Sequence, residues 1–291
     1  MAAPYSTLIQ PEDLQPRLNA PDWVVFDCRH ALLDKALGAR VYGESHLPGA
    51  RFADMERDLS GPVTPESGRH PLPDLDAFSG WLRTMGVTAG AQVVAYDDSQ
   101  GMMASRLWWM LRYLGHDAVA VLDGGFARWR EEGRPLTPDI PVAIAGDFRP
   151  RIRSGWQADL AEVARLVRGQ PGREQPGMLV DARGAERFRG DSEPIDPKAG
   201  HIPGAVNVPC AANVDGSGRF LPAAALRQRF QQALGFVPPR ESVHYCGSGV
   251  SACHNLLAMA VAELEPGRLY VGSWSQWCKD DARPIATGSR P

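Results

Sequence analysis

The chain is one unit written twice, and that repeat constrains its fold more than any other feature. Val24-Val25-Phe26-Asp27-Cys28-Arg29 returns as Leu179-Val180-Asp181-Ala182-Arg183. His46-Leu47-Pro48-Gly49-Ala50 returns as His201-Ile202-Pro203-Gly204-Ala205. The run from Val93 to Asp97 returns as the run ending at Cys246, and Val121 to Trp129 returns as Tyr270 to Trp277. All four landmarks keep their order at an offset of about 150 residues. Chance Pro-Gly turns would preserve neither order nor spacing.

Each copy alternates short apolar runs with amphipathic ones, the pattern of strands and helices in a parallel sheet covered on both faces. In the first copy 23–27, 93–96 and 119–122 read as strands, and 105–114 and 126–132 as helices. His-x-Pro-Gly-Ala reads as a turn before a strand, with Pro fixing φ and Gly supplying a special backbone geometry. The class is therefore α/β, with two tandem domains, each a parallel β-sheet flanked by helices on both faces. The expected boundaries are 1–140 and 158–291. A linker at 141–157 lies within a stretch carrying Pro135, Pro138, Pro141 and Pro150. A second Pro- and Gly-rich stretch, 61–73, reads as a long surface loop carrying His70. Long loops in compact domains often serve function.

Composition removes several classes. At 291 residues, 44% hydrophobic and 22% charged, the chain suits a soluble protein of about two domains. A formal net charge of −3 gives no reason to expect nucleic acid or an anionic membrane as partner. No apolar run approaches the roughly 20 residues that span a bilayer. The start, Met-Ala-Ala-Pro-Tyr-Ser-Thr, lacks the basic and apolar regions of a signal peptide. Five scattered cysteines suit no disulfide framework, and no Cys or His spacing suggests a metal. A reducing, cytoplasmic setting is expected.

One of the two equivalent strand ends carries a thiol. After an apolar run ending at Tyr245 come Cys246-Gly247-Ser248-Gly249-Val250-Ser251, then the helical pattern of Leu256, Leu257, Met259, Ala260 and Val261. So bare a turn lets backbone N–H groups point inward, and the helix adds the positive end of its dipole. A thiol there is expected to ionise readily, and the thiolate is the nucleophile. Cysteine is also a common core residue, which suits Cys253 and Cys278. Cys246 is different because a core position needs no anion-binding turn. The first copy has Asp97 at this place, so that half is expected to be catalytically silent.

The duplicated frame, both His-x-Pro-Gly-Ala turns, Asp123-Gly124-Gly125-Phe126 and Gly272-Ser273-Trp274 resemble the two-domain sulfurtransferases of the rhodanese superfamily over nearly the whole chain. The loop Cys246-Gly-Ser-Gly-Val-Ser251 is similar to that of 3-mercaptopyruvate sulfurtransferases, whose usual last residue is Thr. Thiosulfate enzymes more often place Arg and Lys after the cysteine. The resemblance implies ping-pong transfer through a Cys246 persulfide, from a small-molecule donor (3-mercaptopyruvate or thiosulfate) to an acceptor. The acceptor would be cyanide, a small thiol or a thioredoxin-like protein, with no metal or organic cofactor. Gly247, Gly249, Val250 and Ser251 would line the persulfide.

The same resemblance places Arg187 at the family's substrate-carboxylate position, where a planar bidentate donor suits the anion. Mercaptopyruvate enzymes carry a second arginine shortly after, in Glu-Pro-Arg. Here the text is Glu193-Pro-Ile195-Asp-Pro-Lys198, with Lys198 and Arg189 as candidate substitutes. Ser248, His70 and an acidic residue resemble the family's proton relay, with Glu56 standing where Asp is usual. His46 and His201 read as turn residues bonded to backbone. Trp108, Trp109, Trp274 and Trp277 read as core.

Other chemistries fit less well. Phosphatases of this strand-loop-helix type need an Arg at the sixth position after the cysteine, which is Ala252 here, and one more loop residue. A non-catalytic rhodanese-like module would have no use for the intact cysteine loop. Thiosulfate as main donor stays open because the second arginine is missing.

Overall fold

Runs such as Trp23-Val-Val-Phe-Asp27 are apolar at successive positions, so both faces of the strand must be covered. They become the central strands of two sheets. The computed structural model describes residues 4–169 and 177–289. Its strands are β1 (Leu8–Ile9), β2 (Trp23–Asp27), β3 (Arg51–Phe52), β4 (Gln92–Tyr96) and β5 (Val119–Leu122). The second set is β6 (Gln157–Ala158), β7 (Leu179–Asp181), β8 (Ala205–Asn207), β9 (Val243–Tyr245) and β10 (Arg268–Tyr270). The sheet orders are β1-β5-β4-β2-β3 and β6-β10-β9-β7-β8, every pairing parallel. Under the repeat offset the two orders are the same. Helices flank each sheet, as the α/β pattern requires.

The repeat extends to single hydrogen bonds. Asp27 lies opposite Tyr96, and Asp181 opposite Tyr245. Arg29 Nη2 meets Asp27 Oδ2 at 2.6 Å, and Arg183 Nη2 meets Asp181 Oδ2 at 2.6 Å. The hydroxyl of Tyr96 accepts the Leu47 N–H at 3.2 Å, and that of Tyr245 accepts the Ile202 N–H at 3.1 Å. His46 Nδ1 donates to the Tyr42 carbonyl and His201 Nδ1 to the Phe188 carbonyl, both at 2.7 Å. These histidines are turn residues bonded to backbone. Trp129 and Trp277 each send Nε1–H to a proline carbonyl, Pro135 and Pro284, at 2.9 Å.

Each sheet has its own core. Ile9, Val25, Val94, Tyr96, Leu122 and Trp129 belong to one; Val163, Leu179, Phe188, Tyr245, Trp274 and Trp277 belong to the other. Trp108 and Trp109 are fully buried in the helix Ala104–Tyr113. By contact, the chain divides into a first unit of 1–61, 72–153 and 214–220 and a second of 62–71, 154–213 and 221–291. The ten residues before Leu72 thus count with the second unit, although the sequence between Gly61 and Leu72 is continuous with the first. No helix among the described residues is long and apolar enough to cross a membrane.

Parallel pairing puts all carboxyl ends of a sheet along one edge, where ligands of such folds gather. The central strands are β4 and β9. Asp97 follows one, and Cys246 follows the other.

Candidate active site

Cys246 is held by its backbone on both sides. Its N–H donates to Ser273 Oγ at 3.1 Å, and its carbonyl accepts from the Trp274 N–H at 2.9 Å. Its Sγ accepts the N–H of Gly249 at 3.1 Å. Gly249 has φ +79°, and a Cβ there would fall 2.5 Å from the Val271 carbonyl oxygen, so no other residue fits. The helix Ser251–Val261 begins directly after, with Cys253 buried in its first turn. Ser273 also stands in the left-handed region, at φ +53°, while its Oγ donates to the Tyr270 carbonyl at 2.9 Å. At the equivalent place the first unit uses Gly125, at φ +57°. A side chain in this strained conformation is retained where it anchors the Cys246 amide.

The first unit shows what its own loop does with an anion. Both carboxylate oxygens of Asp97 accept backbone N–H groups: Ser99 and Gly101 at 2.8 Å on one, Met103 at 2.7 Å and Ala104 at 2.8 Å on the other. Burial pushes the Asp97 carboxyl above its ordinary range, against the pull of these four donors. The turn after a central strand is thus an anion cradle, and Asp97 fills its own.

His70 and Ser248 come together in the second unit, with Nδ1 and Oγ 2.7 Å apart. The segment carrying His70 is fastened there by backbone bonds. The Arg69 N–H donates to Ser275 Oγ at 3.0 Å, Gln276 Nε2 donates to the Glu66 carbonyl at 2.6 Å, and Lys279 Nζ donates to the Ser67 carbonyl at 2.6 Å. Glu56 lies in the first unit. Its carboxylate pairs with Lys35 Nζ at 2.7 Å and lies 3.8 Å from His30 Nε2.

Arg187 is the fourth member of an alternating chain of charges rooted at the end of β7. Asp181 holds Arg183, whose Nη1 donates to Glu193 at 3.2 Å. Glu193 takes Arg187 Nη2 at 2.6 Å, and Arg187 Nη2 also reaches Asp196 at 3.1 Å. Asp196 then pairs with Arg69 Nη1. Burial would lift the Glu193 carboxyl, but the Arg187 bond and the amides of Asp196 and Ile195 outweigh it and hold it below its ordinary range. Lys198 and Arg189 are engaged elsewhere, Lys198 Nζ with Asp281 at 2.5 Å and Arg189 Nε with Asp191 at 2.7 Å, on exposed carboxylates.

Gly247, Gly249, Val250 and Ser251 form the turn around the thiol, as the loop sequence requires. Sequence reasoning did not find Arg69, Asp196 or Ser273. Arg69 stands out only as the one basic residue but His70 between Gly61 and Pro73, and no spacing in the sequence ties it to Asp196. Of the other thiols, burial first, and the Cys246 thiol second, push Cys210 up to about 12.

The model of the rhodanese-like domain matches residues 10–132 and again 161–280. The chain is 48% identical over 283 residues to a probable 3-mercaptopyruvate sulfurtransferase of Pseudomonas aeruginosa, covering 97% of this chain and 98% of that one. It is 36% identical over 293 residues to a putative thiosulfate sulfurtransferase, SseB, of Mycobacterium tuberculosis, covering 99% and 100%. Among solved structures, the 3-mercaptopyruvate enzyme SseA of Escherichia coli superposes with a TM-score of 0.79 at 30% identity, over 93% of this chain and 99% of that one. With two copies of the domain in place and full-length relatives on either side of the donor question, the chain belongs to the rhodanese family, among its two-domain sulfurtransferases.

Proposed function

We propose that the second unit moves a sulfur atom from 3-mercaptopyruvate to a thiol or cyanide through a Cys246 persulfide. The Cys246 thiolate attacks the donor sulfur. A new S–S bond forms as the donor C–S bond breaks, and that electron pair leaves as the enolate of pyruvate, which takes up one proton. An acceptor thiolate or cyanide then attacks the outer sulfur and returns Cys246. Asp97 offers no sulfur, so the first unit stays silent.

The observation that carries this reading is the His70–Ser248 pair at 2.7 Å in the nucleophile's own loop. Pyruvate leaves as a carbanion equivalent and needs a proton; sulfite, leaving from thiosulfate, needs none. A positioned acid–base pair beside the sulfur therefore favours mercaptopyruvate. Arg187 takes the donor's carboxylate, and the Gly249 N–H bears on the negative charge of the persulfide. A small thiol or a thioredoxin-like protein serves as acceptor. Five buried cysteines, none in a disulfide framework, suit a reducing cytoplasm.

Thiosulfate is the second reading, favoured by Ile195 where a second arginine would stand and by the name of the mycobacterial relative. Intact-mass measurement after exposure to each donor tests both. The expected result is a gain of one sulfur atom on Cys246, removed by cyanide, faster from mercaptopyruvate than from thiosulfate. The Cys246→Ser variant should gain nothing. Failure to gain sulfur from either donor, or turnover surviving in Cys246→Ser, would overturn the proposal.

A further inference from the structure

We infer that Cys210 is a second reacting thiol of the active unit, which releases the transferred sulfur as hydrogen sulfide by closing a disulfide with Cys246. The inference rests on the reading of Cys246 as the sulfur-accepting nucleophile. Three facts lead to it.

The first is placement. Cys210 opens the short turn Cys210–Asn213 that follows β8, at the same carboxyl edge of the sheet as Cys246. Its N–H donates to the Ala182 carbonyl at 3.0 Å, and the Ala182 N–H donates to the Tyr245 carbonyl at 2.9 Å. Tyr245 directly precedes the nucleophile, so the backbone of Ala182 alone bridges the two cysteine-bearing segments. The Cys210 thiol is hydrogen-bonded to the hydroxyl of Ser251, the last residue of the nucleophile loop, and lies within the field of Cys246. Both cysteines are buried, at 6% and 1% exposure, so water does not separate them.

The second is a fixed frame. Asn255 Nδ2 donates to the Val208 carbonyl at 2.8 Å, and Asn255 Oδ1 accepts Asn213 Nδ2 at 2.7 Å. Asn255 belongs to the helix that begins at Ser251, so the turn of Cys210 and the nucleophile loop are tied to one element. From the other side, Arg229 Nη2 donates to the Pro209 carbonyl at 2.9 Å, and its guanidinium faces Cys210. Its Nε is buried without a partner among the described residues. A cation beside a thiol steadies the negative charge that builds on sulfur during exchange.

The third is co-occurrence. At the offset of the two His-x-Pro-Gly-Ala turns, Cys210 falls on Met55 of the first unit. Met55 is buried as well, so packing at this place is met by a thioether. The unit with Asp97 lacks a thiol at both places, and the unit with Cys246 has one at both.

The step balances without an added oxidant. The Cys210 sulfur attacks Cys246 Sγ of the persulfide, and the Cys210–Cys246 bond forms as the bond to the outer sulfur breaks. The outer sulfur leaves with that electron pair, takes the Cys210 proton and departs as HS−. It is reduced from sulfane sulfur to sulfide while the two cysteines are oxidised to a disulfide. Burial and the Cys246 charge push Cys210 up to about 12, which keeps the proton on its thiol until the leaving sulfur takes it. A dithiol then reduces the disulfide by exchange and returns both thiols.

The step is read on a chain loaded with 3-mercaptopyruvate, freed of donor and held without acceptor. The parent should release about one sulfide per chain and end with a Cys210–Cys246 cross-link, seen by intact mass and peptide mapping without reductant. Cys210→Ser should load sulfur and hold it, with sulfide release at least about tenfold slower. Cys278→Ala, which removes a core thiol, should release sulfide as the parent does. A second arm needs no sulfur donor. A dipyridyl disulfide places a mixed disulfide on Cys246, and Cys210 should expel the remaining thiopyridone with the same cross-link, whereas Cys210→Ser should stop at the mixed disulfide. A loaded parent that keeps its sulfur, no cross-link with the probe, or release at the parent's rate in Cys210→Ser would each overturn the inference. A cross-link with the probe in a chain that takes sulfur from neither donor would uphold the thiol pair and sink the proposed reaction.

Discussion

Nδ1 of His70 lies 2.7 Å from Oγ of Ser248, across 178 residues of sequence. A bond of that length between an imidazole and a hydroxyl can carry a proton, and it ends in the loop that holds Cys246. Replacing His70 by Gln should lower kcat with 3-mercaptopyruvate by about a hundredfold, the usual scale of positioned proton transfer, and lower it less with thiosulfate. Ser248→Ala should behave alike. Because the two act as one unit, the double variant should be no slower than the worse single variant. Steady-state assays of pyruvate and sulfite release check this; equal losses with both donors would remove the relay.

That pair exists only because the segment 62–71 is seated on the second unit. Gly68 makes the seat possible by its close approach to the Gly272 carbonyl. Gly68→Ala must push the segment outward, displacing both Arg69 and His70. The expected outcome is a chain that still folds, with kcat/KM for 3-mercaptopyruvate reduced by about a hundredfold or more, since a displacement near 1 Å has that scale of effect. Lys279→Ala, which loses only exposed bonds to carbonyls, should cost far less. Comparable effects of the two substitutions would show that the seat does not position the chemistry.

Asp97 gives a stability prediction independent of chemistry. Its carboxylate accepts four backbone N–H groups, two buried (Gly101, Ala104) and two half-buried (Ser99, Met103). Asp97→Ala leaves them without an acceptor, and each orphaned donor costs about 1–3 kcal/mol. A loss of at least about 3 kcal/mol is expected, smaller for Asp97→Asn, whose amide oxygen still accepts. Sulfur transfer per folded molecule should persist in both. Denaturant unfolding followed alongside activity checks it, and a shift below about 1 kcal/mol in Asp97→Ala would show that water replaces the carboxylate.

These particulars show what a linear reading reaches. Continuous apolar runs at a fixed offset dictate two equal parallel sheets, because buried strands have no other arrangement and the repeat leaves no second topology. Cys246, Gly247 and Gly249 are legible because a thiol in a bare turn after a strand has few other uses. Arg69 was not legible. Its ion pair is with Asp196, 127 residues away, and charge pairing at that range leaves no periodicity or spacing in the sequence. Ser273 was hidden for another reason. Its meaning lies in a positive φ, which the text betrays only where glycine occupies the place, as Gly125 does in the first unit.

His244, next but one before the nucleophile in β9, ties stability to pH. Its Nε2 lies 3.0 Å from Ser242 Oγ, and that hydroxyl donates to the Pro239 carbonyl at 2.6 Å, so Nε2 carries the proton. Nδ1 is buried without a partner among the described residues. Protonating it would place a bare charge in the core, and burial pushes the pKa down to about 3. The unfolded chain takes up this proton near pH 6.5, while the native chain holds off until about 3. Between those limits the unfolded state binds more protons, so stability falls as pH falls, by up to about 1.4 kcal/mol per pH unit. Urea unfolding of the second unit at pH 7 and pH 5 should show a loss of about 2 kcal/mol from this group, and His244→Phe should lack it. Parallel losses in the parent and the variant would mean that His244 is protonated in the fold, with an acceptor for its Nδ1–H.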